Sequence, residues 1–188
     1  MVAEHISTHR HLINLKDGVR VLLRPLTKDD GDRLVALFAP VTAEDAKYVR
    51  DAVTDPAVVR GWVDELDYAR VLPLVAVVQE RIVGDVTLHF GAGPGRHIGE
   101  LRIFLAKDYR RRGLGTAMLR SVVDLARKSG LQMVVAYVVA DQTRVIKAFE
   151  SIGFVAQCRY EDFFMFPDGE TTDVVILTMR LVPREEEF

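Results

Sequence analysis

The chain has 188 residues, 49% of them hydrophobic, enough for one substantial core and within the usual size of a single domain. Its 25 Lys and Arg against 27 Asp and Glu leave a formal charge of -2, so no global field draws it to nucleic acid or to an anionic membrane. The longest apolar run, residues 71–78, is far too short to span a bilayer, and the start MVAEHISTHRH lacks the apolar stretch of a secretory signal. With Cys158 the only cysteine, no internal disulfide can form, and the expectation is a soluble, cytoplasmic protein.

Residues 1–17 are polar and His-rich and read as a solvated N-terminal arm. His5, His9 and His11 have no Cys or carboxylate pattern to complete a metal site, so no metal is implied. Residues 19–24 predict a first strand, stopped by Pro25. Thr27 with Asp30, then Leu34, Leu37 and Phe38, give a capped amphipathic helix. Thr42 with Asp45 opens a second helix. Asp55-Pro56 opens a third, with Val58, Val59, Trp62 and Val63 on its apolar side.

From residue 72 the pattern changes to strands. Residues 72–78 and 82–90 flank Gln79-Glu80-Arg81 and predict an antiparallel pair. In the second strand Val86, Leu88 and Phe90 alternate with Asp85, Thr87 and His89, which predicts one buried face. GAGPGRHIG (91–99) reads as a flexible loop before a strand over 100–106. A helix is predicted over Leu114–Lys128, where apolar residues recur at helical spacing and Gly130 supplies the stop. Residues 133–140 form a nearly continuous apolar strand. Val145, Ile146, Phe149 and Ile152 mark one more helix, ending at Gly153. Strands over 155–166 and 174–181 flank Pro167-Asp168-Gly169, a hairpin turn signal. The sum is a mixed α/β (α+β) domain over 18–182, with an acidic tail at 183–188.

The chemistry concentrates in LRIFLAKDYRRRGLGTAML (101–119), where a strand leads through Arg110-Arg111-Arg112-Gly113-Leu114-Gly115 into a helix. A helix N-terminus offers free N–H groups and a partial positive charge, so an anion fits there. Glycines let phosphate oxygens approach the backbone, and three arginines strengthen the phosphate reading. A P-loop would need Lys before Ser/Thr, and a dinucleotide fingerprint a third glycine where Met118 stands; neither pattern is met.

Arg110-x-x-Gly113-x-Gly115, in its strand–loop–helix setting and with Gly153-Phe154 after the last helix, resembles the pyrophosphate signature of the GNAT superfamily of N-acetyltransferases. The resemblance covers about residues 19–182 and is nearest in pattern to bacterial protein-lysine acetyltransferase domains. It implies a mostly antiparallel sheet of about seven strands flanked by helices, splayed between the fourth and fifth. It also implies acetyl-CoA as cosubstrate, without a metal, and a primary-amine acceptor, small molecule or protein lysine. A homodimer is compatible with it; nucleic acid and membrane partners are not implied.

By the same resemblance, Ile103 and Leu105 offer main-chain contacts to the pantetheine arm. The Arg110, Arg111, Arg112, Gly113, Leu114, Gly115 and Thr116 segment holds the pyrophosphate. Gln142 stands where the family usually has an Asn that touches the cofactor. Glu100 aligns with the glutamate those lysine acetyltransferase domains use as base; the alternative is a carboxylate paired with Arg96 or Arg102. Phe149 occupies the place of the usual acid Tyr, with Tyr137 and Tyr160 as substitutes or packing residues. Cys158 reads as a small buried hydrophobe. Asp85, Glu100, Glu161 and Asp162 suggest either an acidic mouth suited to a cationic amine or ordinary surface charge. Two other functions stay open: an acyl-CoA-binding sensor without turnover, and a nucleic-acid binder using the arginines, although no aromatic-rich motif accompanies them.

Overall fold

The computed structural model describes residues 8–49, 52–166 and 168–183. In chain order its elements are β1 (His11–Asn14), β2 (Arg20–Pro25), α1 (Gly31–Phe38), α2 (Ala43–Ala46), α3 (Pro56–Asp64), β3 (Val71–Val78), β4 (Arg81–Phe90), β5 (Ile98–Leu105), α4 (Leu114–Lys128), β6 (Met133–Val139), α5 (Thr143–Glu150), β7 (Val155–Met165) and β8 (Thr171–Arg180). The strands form one sheet of eight in the order β1-β2-β3-β4-β5-β6-β8-β7. Every pairing is antiparallel except that of β5 with β6.

Eight strands rather than about seven follow from β1, which lies inside the segment read as a solvated arm. His11 to Asn14 pair with Leu23 to Arg20, and only Ile13 is partly covered. The rest of the described arm is also tied down. His9 Nε2 lies 3.1 Å from Ser121 Oγ on α4, and Leu15 is buried. His5 and the acidic residues after Pro183 lie outside the described residues.

Local sequence explains the element boundaries. Asp30 accepts from the Thr27 N–H and hydroxyl at 2.9 and 2.8 Å, the reciprocal cap that starts the turn leading into α1. It also takes both Arg24 guanidinium nitrogens, at 2.6 and 2.7 Å, which ties α1 to β2. Asp55 caps α3 through the Ala57 N–H, with Pro56 in the first turn. Pro73 is tolerated inside β3 because β2 ends opposite Leu74, so no partner strand needs its missing donor. The glycine-rich loop is closed rather than open: Gly93–Gly95 make a tight turn and the Gly91 N–H donates to Ile98 O.

Helices cover both faces of β4. Gly84 lies against Met118 of α4, so close that a Cβ there would meet the sulfur at 2.9 Å. Successive strand residues point to opposite faces. Asp85 therefore points the other way, toward the side where Phe38 of α1 meets Phe104 of β5 with ring centroids 4.8 Å apart. The alternation in β4 predicts a single buried face; α1 buries the second, with α3 packed on α1.

Candidate active site

Strands β5 and β6 separate early. They pair only from Ile98 to Glu100 against Met133 to Val135, while β5 runs on to Leu105 and β6 to Val139. This is the splay expected from the sequence. The Ala106 N–H donates to Val83 O, toward β4. Because main-chain groups alternate sides along a strand, those of Leu105 and Ile103 face the opposite, open edge. Leu105 O already accepts from Arg110 Nε at 3.1 Å, which agrees with that direction.

The open edge ends at the start of α4. Gly113 is the N-cap residue and has φ +86°, a left-handed conformation that side-chain-bearing residues rarely adopt. The first helical amide with an acceptor in the preceding turn is Ala117, bonded to Gly113 O, so the amides before it are available to a ligand. Gly115 packs over β5, where a Cβ would lie 3.2 Å from Leu105 Cδ1.

The three arginines separate. Arg110 and Arg111 border the cleft together with Gly113, Gly115 and Thr116. Arg112 turns away: its Nε bonds Asp17 at 2.6 Å and its guanidinium lies over the Tyr109 ring. The Leu114 side chain is fully buried in the core, leaving only its main chain at the cleft end of the helix. Gln142 caps α5 and borders the cleft across the splay.

The cleft encloses about 1770 Å³, more than the ~300–1,000 Å³ usual for a single small-ligand pocket, so it has room for two substrates. On the β4–β5 face Asp85, Thr87 and His89 border it. His89 Nε2 lies 2.9 Å from Thr87 Oγ1. Glu100 sits opposite His89 and accepts from Arg102 Nε at 2.8 Å, one of the two pairings expected of it. Arg102 borders the cleft and Glu100 does not. Asp85 is 8% exposed, and its Oδ1 has no hydrogen-bond partner among the described residues. Burial pushes its carboxyl up to about 7.

Other expectations change. Phe149 is buried edge-to-face against Phe154, so packing fixes it where the family Tyr would stand. Tyr137 borders the cleft and stacks on Phe163, while Tyr160 is half exposed. Cys158 is exposed, because β7 is the edge strand of the sheet and is exposed along nearly its whole length. The mouth is mixed rather than acidic: Lys47, Arg70, Lys107 and Arg144 border it beside Asp45 and Glu65, whereas Glu161 and Asp162 do not.

Sequence reasoning misses the crossing made by residues 42–49. Asp45 Oδ2 takes Lys107 Nζ at 2.6 Å, and its Oδ1 lies 4.0 Å from Arg110. Tyr48 donates to Asp141 at 3.0 Å, and Lys47 pairs with Asp168 at 3.0 Å. The segment thus bridges both sides of the splay. The cap signal Thr42…Asp45 marks the helix; nothing in the sequence marks these distant partners.

The family model of the acetyltransferase (GNAT) domain matches residues 20–155, a span that runs from β2 through the splay and the α4 N-terminus to the start of β7. The chain is a member of the GNAT acetyltransferase family. An acetyltransferase from Pseudomonas aeruginosa is 27% identical over 151 residues, covering 77% of this chain and 80% of that one. The GNAT domain of PAT from S. lividans superimposes with TM-score 0.74 at 23% identity, over 92% of this chain and 97% of that one. RimJ from Mycobacterium smegmatis, solved with CoA-disulfide, gives TM-score 0.75 at 20% identity, over 93% and 89%. This GNAT chain is an acetyl-CoA-dependent N-acetyltransferase, with acetyl-CoA as cosubstrate. No helix among the described residues is long and apolar enough to cross a membrane.

Proposed function

We propose that the protein transfers the acetyl group of acetyl-CoA directly to the nitrogen of a primary amine, a small molecule or a protein lysine. The observation that carries the reading is the open β5 edge leading into the free amides of α4. The pantetheine amides would bond the main chain of Ile103 and Leu105, adding a strand to that edge. The pyrophosphate would take the N–H groups of Gly113, Leu114, Gly115 and Thr116, with Arg110 and Arg111 supplying charge. Gln142 would reach the cofactor from the other side of the splay. Arg112 stays with Asp17 and leaves the anion to its two neighbours.

The amine nitrogen attacks the thioester carbonyl, the C–N bond forms, the C–S bond breaks and CoA leaves as thiolate. A thiol pKa of about 8.5 makes this leaving group adequate without a phenol acid, which suits the packed Phe149. An alkylammonium has a pKa of about 10.4, so near neutrality a base must take its proton. Glu100 has that role in this reading. It is the last β5 residue paired with β6, at the apex of the splay. Because Glu100 does not itself border the cleft and is bonded to Arg102, which does, the proton would reach it through a bridging water.

Glu100→Gln should lower kcat roughly 100-fold near neutral pH and leave acetyl-CoA affinity unchanged. Part of the rate should return at alkaline pH, where free amine is present without a base. Full activity with an unchanged pH–rate profile would make Glu100 only the partner of Arg102.

A further inference from the structure

Two carboxylates are deeply buried, and they differ. Asp30 accepts from Arg24, Thr27 and, at 3.5 Å, Arg33. It shows what a carboxylate serving the fold looks like here. Asp85 has one oxygen without any partner among the described residues, in the middle of a strand. Its cross-strand neighbours are Val75 and Phe104. A valine at that position would pack without cost, so the fold gains nothing from the acid. The residue borders the cleft with Trp62 and Phe104, while the unpartnered Oδ1 itself is closed off from solvent. Those two rings, both packed on Phe38, are the partly exposed aromatic surface beside it.

From this geometry we infer that Asp85 anchors the acceptor as an ammonium carried on a compact apolar body, with the cation on the carboxylate and the body against Trp62 and Phe104. The inference rests on the acetyl-transfer reading and names its substrate class. A buried carboxylate takes a cation because pairing repays desolvation, and an adjacent aromatic face adds cation–π attraction. A neutral hydroxyl in the same place would leave the carboxyl poorly satisfied. Asp85 lies one strand, about 4.8 Å, in from β5 and its open edge. Glu100 stands four residues along β5 from Phe104, the cross-strand neighbour of Asp85. Asp85 therefore holds the ammonium on arrival, and the nitrogen leaves it for the open edge before it loses its proton and attacks. The charged side chains on the same face are His89 on its own strand and Arg102 and Glu100 on β5. β3 brings Val75 and Pro73, and α1 brings Leu34 and Phe38, none of which is charged.

The test is calorimetric titration of the CoA-bound protein with 2-phenylethylamine, its neutral counterpart 2-phenylethanol, and methylamine. The parent should bind 2-phenylethylamine at least about tenfold more tightly than either of the others. Asp85→Asn should abolish the preference over the alcohol and raise KM for the amine more than it lowers kcat, with CoA affinity unchanged. Asp85→Val repeats the test should the buried amide disturb the strand. Absence of the amine preference in the parent, or its persistence in both variants, overturns the inference. Absence of CoA binding in the parent would instead overturn the acetyltransferase reading beneath it, so the two failures are distinguishable.

Discussion

Asp30 and Asp85 are both buried, yet their carboxyls shift in opposite directions. Burial alone would raise Asp30, but the bonds from Arg24 and Thr27 overcome it and hold the group at about 2. Its stabilisation is present above the unfolded carboxylate value of about 4 and is lost as pH falls through about 2. Asp85 has only burial acting on it and rises to about 7. Between about pH 4 and about pH 7 the folded state keeps this proton while the unfolded state has lost it. Stability therefore falls as pH rises through that window and the cost is constant above it. Asp85→Val should raise Tm, by a margin that widens from about pH 4 to about pH 7 and then levels off. A pH-independent margin, or a less stable variant, would show that the carboxyl has a structural partner. In the sequence this residue looks like an ordinary outward-facing Asp, since Asp85, Thr87 and His89 alternate with apolar neighbours. The missing signal lay elsewhere. The apolar stripe of α1 needs a surface to cover, and this face of β4 is that surface.

Elements whose core-facing residues repeat at a fixed period were legible; those held by a few distant polar contacts were not. The α4 boundaries follow from its apolar spacing and from the glycines on either side. β1 escaped because an edge strand with one partly covered residue carries no period-2 pattern. The sequence likewise cannot rank Arg110, Arg111 and Arg112, because the choice depends on Asp17, 95 residues away. The bridging segment 42–49 belongs to the same class, and it has a consequence for cofactor binding. Lys107 holds the Asp45 carboxyl below its usual range by hydrogen bonding, Thr42 adds to this, and Arg110 lies alongside. A pyrophosphate arriving at the α4 N-terminus competes with Asp45 for those two cations. Exposed pairs of this kind contribute up to about 1 kcal/mol. Asp45→Asn, which keeps the residue's size beside Thr42, should therefore tighten acetyl-CoA binding by up to about fivefold in calorimetry at low salt. Weaker binding would mean that the segment supports the cofactor instead of competing with it.

For the molecule as a whole, one topological event creates the site. The single parallel pairing, β5 with β6, lasts three residues and then opens, and the helix that follows β5 begins at the mouth of the opening. The glycine-framed loop lets that helix present its free amides, because Gly113 takes a backbone conformation closed to most residues. The resemblance carried by Arg110-x-x-Gly113-x-Gly115 in its strand–loop–helix setting points to this end of α4. The proposed acceptor side was not readable, because that part of the cleft is lined from α1, α3, β4 and β5, whose contributions come together only in the fold. The central claim is that the cleft at the α4 N-terminus holds acetyl-CoA by its pyrophosphate. Calorimetry of acetyl-CoA on the parent and on Gly113→Val tests it most directly, with the melting temperature of each recorded. The parent should bind in the micromolar range or tighter, about -8 kcal/mol. The variant puts a branched side chain at φ +86°, in the mouth of the amide nest, and should lose roughly 100-fold in affinity. The backbone strain of about 1–3 kcal/mol should lower Tm by roughly 2–12 °C without unfolding the protein. Absence of binding to the parent, or equal affinity in the two proteins, would contradict the account.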